Sequence, residues 1–398
     1  MNSLLTEKQR NDVLSSMAEL IADEKDAILA INRKDVANYS GDDLAMYDRL
    51  KVDDVKIDGM ILSLKQLVAA IDPLGKEMYN FTHENGMNII NKTAPFGTIL
   101  IIYESRPDVT VEAAGIAFKS GNKILLKGGK ESAKSNLKIV ELWHKALEKH
   151  NISKDWVEYL SYNRTETQTF LENPTQKIDL IVPRGGEQLI AFVKQHATCP
   201  VIVSGRGNNF VYVDVEADLG VALNVIINAK TTKISACNAV DKVLINKEIF
   251  NDAIFMNSLI EKLSISNVEI FGDEKMSAFK NISKIENQEI WFEEFLDYKI
   301  VIGCVEDLNE AIAMINKYGG GHSASIITKN NNTAQVFMES VDAAAVYQNT
   351  STRFTDGGQF GLGGELAIST DKLHHRGPMG LQHLVTNKWY VFGDGQIR

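Results

Sequence analysis

The chain has 398 residues, of which 44% are hydrophobic and 24% are charged, and its formal net charge is −10 at pH 7. This composition excludes a disordered or fibrous protein, and the scattered lysines and arginines argue against a nucleic-acid-binding protein. The length predicts two or three domains. No stretch approaches the about 18 apolar residues of a membrane span, and the first residues lack a basic region followed by an apolar run. We therefore expect a cytoplasmic protein without membrane association.

The first elements in chain order are helical. Residues 3–39 and 54–71 carry apolar residues at helical spacing, which predicts amphipathic helices. The sequence Glu84-Asn85-Gly86 then forms a turn signal between two alternating segments, so we predict a β-hairpin that starts near Tyr79 and ends near Thr93.

From Gly97 onward, apolar runs alternate with helical segments, and a second series of the same kind begins near residue 240. This alternation predicts βαβ units and two α/β domains with mostly parallel sheets. The predicted organisation is a doubly wound first domain from residues 1–78 and 95–229, a second α/β domain from residues 230–385, and a small β element from residues 79–94 and 386–398. The exposed edges of the β element predict a homodimer or a higher homo-oligomer, with a flap on a monomer as the alternative.

Familiar nucleotide-binding motifs are missing. The segment Gly205–Phe210 lacks the third glycine of GxGxxG and precedes a strand, and Gly128-Gly129-Lys130 lacks the rest of a Walker A motif. Two glycine turns at predicted strand ends contain Lys127, Gly128, Gly129 and Lys130, and Arg184, Gly185 and Gly186. These turns suit a pyrophosphate at a helix N-terminus, although ordinary βα turns have the same composition.

Cys237 lies in a loop of small residues between the two α/β series, where we expect a cleft. A thiolate is a strong nucleophile, and the neighbouring Lys230 and Lys233 can lower the pKa of the thiol. The alternative is an inert buried cysteine, which Cys199 and Cys304 fit well. The three cysteines show no CxxC spacing, and the histidines between residues 374 and 383 show no HExxH spacing, so we expect neither a disulfide nor a metal site.

The last third of the chain holds long loops rich in glycine and polar residues, which in compact domains are usually functional rather than plain surface. Six segments carry a resemblance: YESRPDVT (103–110), KSGNKILLKGGKES (119–132), DLIVPRGG (179–186), NAKTTKISACNA (228–239), INKYGGGHSASI (315–326) and VYQNTSTRFTDGGQFGLGGELAISTDKLHHRGPMGL (346–381). Together, and in order over nearly the whole chain, they resemble the γ-glutamyl phosphate reductase family, a branch of the aldehyde dehydrogenase superfamily.

The resemblance implies an aldehyde-dehydrogenase-like fold with an NADP-binding domain, a catalytic domain and a β oligomerisation element. It also implies reduction of γ-glutamyl phosphate by NADPH to glutamate 5-semialdehyde and phosphate, the second step of proline biosynthesis, with a functional link to glutamate 5-kinase. Cys237 matches the nucleophile that forms a thioester. Asn238, the Cys237 backbone N–H and the YESRP loop are candidate donors to the oxyanion.

The resemblance assigns further site residues. Lys127, Gly128, Gly129, Lys130, Arg184, Gly185, Gly186 and Glu294 are expected to bind the cofactor, and Ser105, Arg106, His322 and Arg353 the substrate. Lys127 and Lys130 place positive charge for a 2′-phosphate and favour NADP over NAD. Glu294 matches a glutamate that binds the nicotinamide ribose, with a solvated helix face as the alternative. Residues 201–205 contain no acid at the position where hydrolytic aldehyde dehydrogenases carry a glutamate base, which suits a reductase.

The chain departs from the family pattern near the expected site. Residues 201–214 read VIVSGRGNNFVYVD where the family usually reads VIVHGDGNCHVYVD, and the departures in this string are Ser204, Arg206, Asn209 and Phe210. Further departures are Asp108, Ala324 and Ile234-Ser235. Loss of an acid and gain of Arg206 change how the ends of an amino-acid substrate are recognised. The alternative hypothesis is therefore the same reaction on an N-acylated γ-glutamyl phosphate or a related acyl phosphate. A nucleotide-binding relative without chemistry is disfavoured because Cys237 is retained.

Overall fold

The computed structural model describes residues 4–41 and 44–398. Residues 1–3 and 42–43, which belong to the predicted first domain, lie outside the described residues. The chain divides into two compact units. The first comprises the residues up to Val203 together with Gly361–Ala367 and Met379–Arg398, and the second comprises Ser204–Phe360 and Ile368–Pro378.

The first unit contains eight helices and seven strands among its described residues. These are α1 (Glu7–Asp23), α2 (Lys25–Ala37), α3 (Leu44–Leu50), α4 (Asp54–Ala69), β1 (Glu77–Thr82), β2 (Asn88–Pro95), β3 (Thr98–Tyr103), α5 (Val109–Lys119), β4 (Lys123–Lys127), α6 (Ala133–Lys149), β5 (Val157–Tyr159), α7 (Arg164–Glu172), β6 (Leu180–Arg184), α8 (Glu187–His196) and, near the end of the chain, β16 (Val385–Phe392). The predicted helices of the first seventy residues correspond to α1–α4. No helix in the described part of the chain is long and apolar enough to cross a membrane.

Local sequence explains how the first helix begins. The Thr6 hydroxyl accepts a hydrogen bond from the Gln9 N–H, and the Gln9 side chain accepts one from the Thr6 N–H, which forms a capping box. Val13, Met17 and Ile21, spaced along one face of α1, are fully buried.

The sheet of the first unit has the strand order β5-β4-β3-β6, and all its pairs are parallel. Side chains alternate along β3: Ile99 and Ile101 enter the core that includes α1, α5 and α6, whereas Leu100 and Ile102 enter the core that includes α7 and α8. Helices therefore cover both faces, as in a doubly wound domain. The strand order reverses between β3 and β6, which is where such sheets bind ligands.

The small β element is a three-stranded antiparallel sheet with the order β1-β2-β16. The hairpin β1-β2 covers the predicted segment near Tyr79 to Thr93, and the tail strand β16 pairs with β2 along its full length. Tyr79, Phe81 and Trp389 are 50%, 44% and 54% exposed and lie next to one another on this sheet.

The second unit is built on a seven-stranded parallel sheet with the order β10-β9-β11-β8-β7-β12-β13. Its elements are β7 (Asn209–Val213), α9 (Leu219–Thr231), β8 (Val240–Asn246), α10 (Lys247–Phe250), α11 (Ala253–Ile265), β9 (Glu269–Gly272), β10 (Ile282–Lys284), β11 (Lys299–Val305), α12 (Leu308–Tyr318), β12 (Ser323–Ile327), α13 (Asn331–Ser340) and β13 (Ala345–Gln348). Two short strands, β14 (Ala367–Ser369) and β15 (Gly377–Met379), pair where the chain passes from one unit to the other and back.

The structure corrects the domain boundary predicted between residues 229 and 230. The second unit begins at Ser204, because β7 is hydrogen-bonded between β8 and β12 and is therefore an inner strand of the second sheet. The end of the predicted catalytic domain also changes, since residues 361–367 and 379–385 belong to the first unit. Alternation of strands and helices along the sequence predicts strands but does not specify which sheet each one joins.

Candidate active site

Cys237 lies in the loop between α9 and β8, immediately before the strand, and its side chain is half-buried. The main chain of this loop is held by Asn209, whose Nδ2 donates to the Cys237 carbonyl oxygen at 2.8 Å and to the Ala239 carbonyl oxygen at 2.7 Å. A Cβ at Gly207 would collide with the Cys237 carbonyl oxygen, so only glycine permits this close approach. Asn209, one of the departures from the family pattern, therefore positions the Cys237 loop.

Asn238 joins the Cys237 loop to residues 352–355. Its Nδ2 donates to the Arg353 carbonyl oxygen at 3.2 Å and to the Thr355 carbonyl oxygen at 2.9 Å, while the Thr352 hydroxyl donates to the Asn238 carbonyl oxygen at 2.8 Å. Both amide hydrogens are thus engaged by main-chain carbonyls. This geometry corrects the expectation that the Asn238 side chain donates to an oxyanion: it holds the two loops together.

Arg353 presents donors near the cysteine. Its Nε and Nη1 are buried and have no hydrogen-bond partner in the protein. Burial lowers the pKa of Arg353, and the negative charge of a Cys237 thiolate acts against this shift. Since an arginine stays protonated in proteins, these N–H groups are charged donors that could bind an anion near Cys237.

His322 is deeply buried, with 1% of its surface exposed. Its Nδ1 lies 2.7 Å from the Ser323 hydroxyl, which lies 2.6 Å from the Thr355 hydroxyl, and the Tyr347 hydroxyl also lies 2.6 Å from Thr355. Burial lowers the pKa of His322 to about 4, so the imidazole is neutral at pH 7. His322 therefore supplies no positive charge to a substrate and supports the segment that contains Arg353.

Glu294 lies in the irregular segment before β11. A Cβ at Gly207 would lie 2.6 Å from Glu294 Oε1 and would also collide with the Cys237 carbonyl oxygen. The Glu294 carboxylate and the main chain of the nucleophile loop thus meet on either side of one glycine. The alternative of a helix-surface glutamate is wrong, because this residue is not helical.

These residues share one edge of the second sheet. Cys237 lies shortly before β8, Gly207 shortly before β7 and Glu294 in the segment before β11, and His322 directly precedes β12. Because the strands are parallel, all four lie at their amino-terminal ends. The usual rule for parallel sheets places ligands at the carboxyl ends, and it does not apply to this unit.

The predicted residues of the first unit meet instead at the carboxyl edge of its sheet. Ser105 and Arg106 follow β3, Lys127–Lys130 follow β4, and Arg184–Gly186 lie at the end of β6. The Gly186 N–H, at the start of α8, donates to Glu104 Oε2 at 2.9 Å. Positive side chains, glycines and a helix N-terminus at one edge suit the phosphates of a dinucleotide.

The turn after β4 is close-packed. The Lys127 ammonium donates to the Gly128 carbonyl oxygen at 2.7 Å, and burial lowers the pKa of Lys127. A Cβ at Gly128 would collide with the Asn136 amide, and one at Gly129 would lie 3.2 Å from the Ser105 N–H nitrogen. Lys130 is exposed at the end of the turn. A side chain at Gly128 would therefore displace Asn136, and one at Gly129 would crowd the backbone of Ser105.

Ser105 and Arg106 differ in how they are engaged. The Ser105 hydroxyl is buried without a hydrogen-bond partner in the protein. Arg106 pairs with Asp108, one of the family departures, at 2.7 Å. The charge that Arg106 offers to a substrate is therefore partly neutralised within the protein.

Other expectations change. Lys230 does not serve the Cys237 thiol, because it is fully buried and pairs with Asp241 at 2.8 Å. Ala324 and Phe210 are fully buried in strands, so neither contacts a substrate. Burial raises the pKa of both other thiols, those of Cys199 and Cys304, which leaves them protonated and unreactive at pH 7.

The sequence pattern does not reveal which residues support the Cys237 loop and its surroundings. Asn209 stands out only as a departure from the family pattern, and the buried residues Asp241 and Lys242 lie in none of the motifs. Two adjacent charges at the start of an apolar strand were the available signal, since charged residues are rarely fully buried.

Comparison with known proteins identifies the class. The model of the aldehyde dehydrogenase family matches residues 3–297 and 286–389. A γ-glutamyl phosphate reductase from Clostridium perfringens is 43% identical over 398 residues, which cover 100% of this chain and 95% of the relative. One from Streptococcus suis is 43% identical over 397 residues, covering 100% and 96%.

The crystal structure of γ-glutamyl phosphate reductase from Thermotoga maritima superposes with a TM-score of 0.94 at 40% identity, covering 99% of this chain and 95% of that one. The chain belongs to the γ-glutamyl phosphate reductase family, within the aldehyde dehydrogenases. The resemblance and the aldehyde-dehydrogenase-like fold predicted from the sequence are confirmed.

Proposed function

We propose that this chain reduces γ-glutamyl phosphate with NADPH to glutamate 5-semialdehyde and phosphate, the second step of proline biosynthesis. The names of the relatives support the reaction. The observation that carries the proposal is that the half-buried Cys237 lies within electrostatic range of Arg353, whose buried Nε and Nη1 have no hydrogen-bond partner in the protein. An acyl phosphate substrate needs both a nucleophile and a site for an anion.

The Cys237 thiolate attacks the γ-carbonyl carbon, the C–O bond to phosphate breaks, and phosphate leaves with the bonding electrons. The resulting thioester stays on Cys237. The bound dinucleotide supplies the hydride that reduces this thioester. Collapse of the thiohemiacetal re-forms the carbonyl, releases the aldehyde and returns the electron pair to the Cys237 sulfur.

One feature of the chain supports reduction over hydrolysis. Residues 201–205 contain no carboxylate that activates water against the thioester. The backbone N–H of Cys237, rather than the engaged Asn238 amide, is the better oxyanion donor. We expect glutamate 5-kinase to supply the substrate, because an acyl phosphate hydrolyses readily in water.

The residues at the carboxyl edge of the first sheet would hold the cofactor. The positive charges of Lys127 and Lys130 would favour a 2′-phosphate, and the α8 N-terminus at Gly186 would suit the pyrophosphate. Glu294 would bind the nicotinamide-side ribose through its carboxylate. These assignments make NADP the expected form of the cofactor.

The reverse reaction tests the function. Phosphate-dependent reduction of NADP is measured with glutamate 5-semialdehyde and, in parallel, with its N-acetyl derivative. We expect the free amino aldehyde to be used at least tenfold more efficiently, measured as kcat/KM. Preference for the N-acetyl aldehyde would replace the substrate with an N-acylated γ-glutamyl phosphate, and no turnover of either would refute the reaction.

Glu104 gives a test of the cofactor site. Its carboxylate lies on the N–H of Gly186, where a pyrophosphate oxygen would bind. Glu104→Gln removes a negative charge from this helix N-terminus, so we expect the Kd for NADPH to fall about fivefold, corresponding to about 1 kcal/mol. Fluorescence titration measures the Kd, and Glu172→Gln, which alters an exposed partner of His196, is the control. Unchanged or weaker binding in Glu104→Gln would place the pyrophosphate elsewhere.

We also propose that a second copy of the chain covers the β1-β2-β16 sheet. The exposed aromatic group of Tyr79, Phe81 and Trp389 supports this, because a monomer rarely leaves such residues together in water. Trp389→Lys should shift the sedimentation equilibrium toward monomer. Ile254→Lys, at an equally apolar exposed position on α11, should not. A monomeric wild-type protein would contradict the proposal.

A further inference from the structure

Three charged residues form a fully buried cluster in the second unit. Lys230, Asp241 and Lys242 are 0%, 2% and 0% exposed. Lys230 Nζ donates to Asp241 Oδ1 at 2.8 Å. Lys230 lies in the last turn of α9, the helix that leads into the Cys237 loop, and Asp241 and Lys242 follow the first residue of β8.

The cluster makes hydrogen bonds to the main chain on both sides of Glu294. Lys242 Nζ donates to the Glu293 carbonyl oxygen at 2.8 Å, and the Phe295 N–H donates to Asp241 Oδ2 at 3.0 Å. Residues 293–296 have no regular secondary structure, so no helix or strand ladder holds them. The two hydrogen bonds from β8 do so instead.

A β-bulge explains how adjacent residues reach the same segment. Asn209 pairs with Val240 and Phe210 pairs with Lys242, so Asp241 is the extra residue between two pairs. Successive side chains of a regular strand point to opposite faces, whereas a bulge redirects one of them. The bulge therefore allows Asp241 and Lys242 to act together.

The side chain of Phe295 adds to this contact. Lys242 Nζ lies 4.0 Å from the centroid of the Phe295 ring, and the ring stacks on Phe271 with a centroid separation of 6.1 Å. A cation over an aromatic face is a favourable, directional contact. The Glu294 segment is therefore held by main-chain bonds and by packing of its neighbour.

Burial of these charged groups lowers the stability of the fold, because each group loses its hydration. Burial lowers the pKa of Lys242 to about 7, and the charge of Lys230 adds to this shift, whereas Asp241, Glu293 and Glu294 oppose it. Burial also lowers the pKa of Lys230, which Asp241 opposes. Apolar residues of similar volume are often at least as stable in such positions. Stability alone therefore does not account for the cluster. Its two hydrogen bonds to the main chain on either side of Glu294 indicate a role in holding this segment.

We propose that Lys230, Asp241 and Lys242 are positioning residues that hold Glu294 in place to bind the nicotinamide-side ribose of the dinucleotide. The inference rests on the proposed function, because it concerns the cofactor of that reaction. Gly207 separates the Glu294 carboxylate from the Cys237 main chain. The same cluster therefore also fixes the position of the ribose-binding carboxylate relative to the Cys237 loop.

The test compares two ligands. NADPH contacts Glu294 in this assignment, whereas 2′,5′-ADP, which lacks the nicotinamide half, does not. We expect Lys242→Met and the isosteric Asp241→Asn each to raise the Kd for NADPH about tenfold, a typical loss for misplacing one charged hydrogen-bonding group. The Kd for 2′,5′-ADP and the KM for the acyl phosphate should change less than twofold.

The control is Lys119→Met. Lys119 is equally buried and is bonded to Asn11 in the first unit, so its loss lowers stability without reaching Glu294. We expect the thermal midpoint of this variant to fall while the ratio of the two Kd values stays as in the wild type. Equal weakening of NADPH and 2′,5′-ADP in the Lys242 and Asp241 variants would overturn the inference.

A second measurement does not depend on the cofactor. Hydrogen–deuterium exchange of residues 293–296, without ligand, should be at least tenfold faster in Lys242→Met and Asp241→Asn than in the wild type and in Lys119→Met. If the wild-type protein binds no dinucleotide but exchange of residues 293–296 is faster in the two variants, the proposed function fails while the cluster still holds this segment in place. If exchange is not faster in the variants, the cluster does not hold the segment and the inference is wrong.

Discussion

Cys237→Ser is expected to lower kcat for NADPH-dependent reduction of γ-glutamyl phosphate by about 10⁴-fold or more, because a serine hydroxyl is a far weaker nucleophile at neutral pH. The substitution changes one atom, so the Asn209 and Asn238 bonds that hold this loop should persist. The Kd for NADPH, measured by fluorescence titration, should stay within about twofold of the wild type. Loss of activity with intact binding assigns the chemical step to this thiol.

Cys199→Ser and Cys304→Ser are the matched controls. Both thiols are half-buried, as Cys237 is, and burial raises their pKa above the ordinary value of a cysteine. We expect each to retain more than half of the wild-type kcat. A similar loss of activity in either control, or substantial activity in Cys237→Ser, would remove Cys237 from the role of nucleophile.

Arg353→Met should reduce kcat/KM for the acyl phosphate by about 10²- to 10³-fold, since hydrogen bonds to charged groups contribute about 1.5–3 kcal/mol each. This loss is expected because the Nε and Nη1 of Arg353 are buried without hydrogen-bond partners in the protein and can both donate to the substrate. Arg353→Lys retains the charge but not the two-pronged geometry, so we expect an intermediate loss. The Kd for NADPH should not change.

The reverse reaction separates the two anionic groups that Arg353 can bind. A raised KM for inorganic phosphate assigns the guanidinium to the leaving group, and a raised KM for glutamate 5-semialdehyde assigns it to the substrate carboxylate. Arg376→Met, which removes an arginine paired with Asp342 at 2.6 Å, is the control and should leave both KM values unchanged. If Arg353→Met also leaves both unchanged, there is no anion site beside Cys237.

The sequence by itself determined the composition of the two α/β series, the helices before residue 70, the hairpin near residue 85 and the motifs that carry the family resemblance. These features depend on neighbours in the chain: capping at Thr6, alternation along Thr98–Tyr103 and the glycine turns after apolar runs. It also predicted Cys237 as a candidate nucleophile from its loop of small residues, and the family resemblance added Arg353 as a candidate substrate-binding residue.

Only the tertiary structure decided how those motifs are used. The domain boundary moved to Ser204 because β7 pairs with strands that follow it in the chain, and that pairing leaves no local signal. The Asn238 side chain links two loops, since its partners Arg353 and Thr355 lie far away in sequence, and His322 is neutral because the fold buries it. The bulge at Asp241, which brings two buried charges to the Glu294 segment, arises from the register between two strands. Strand register and burial depend on contacts between residues that are far apart in the sequence. Local sequence patterns therefore do not predict them.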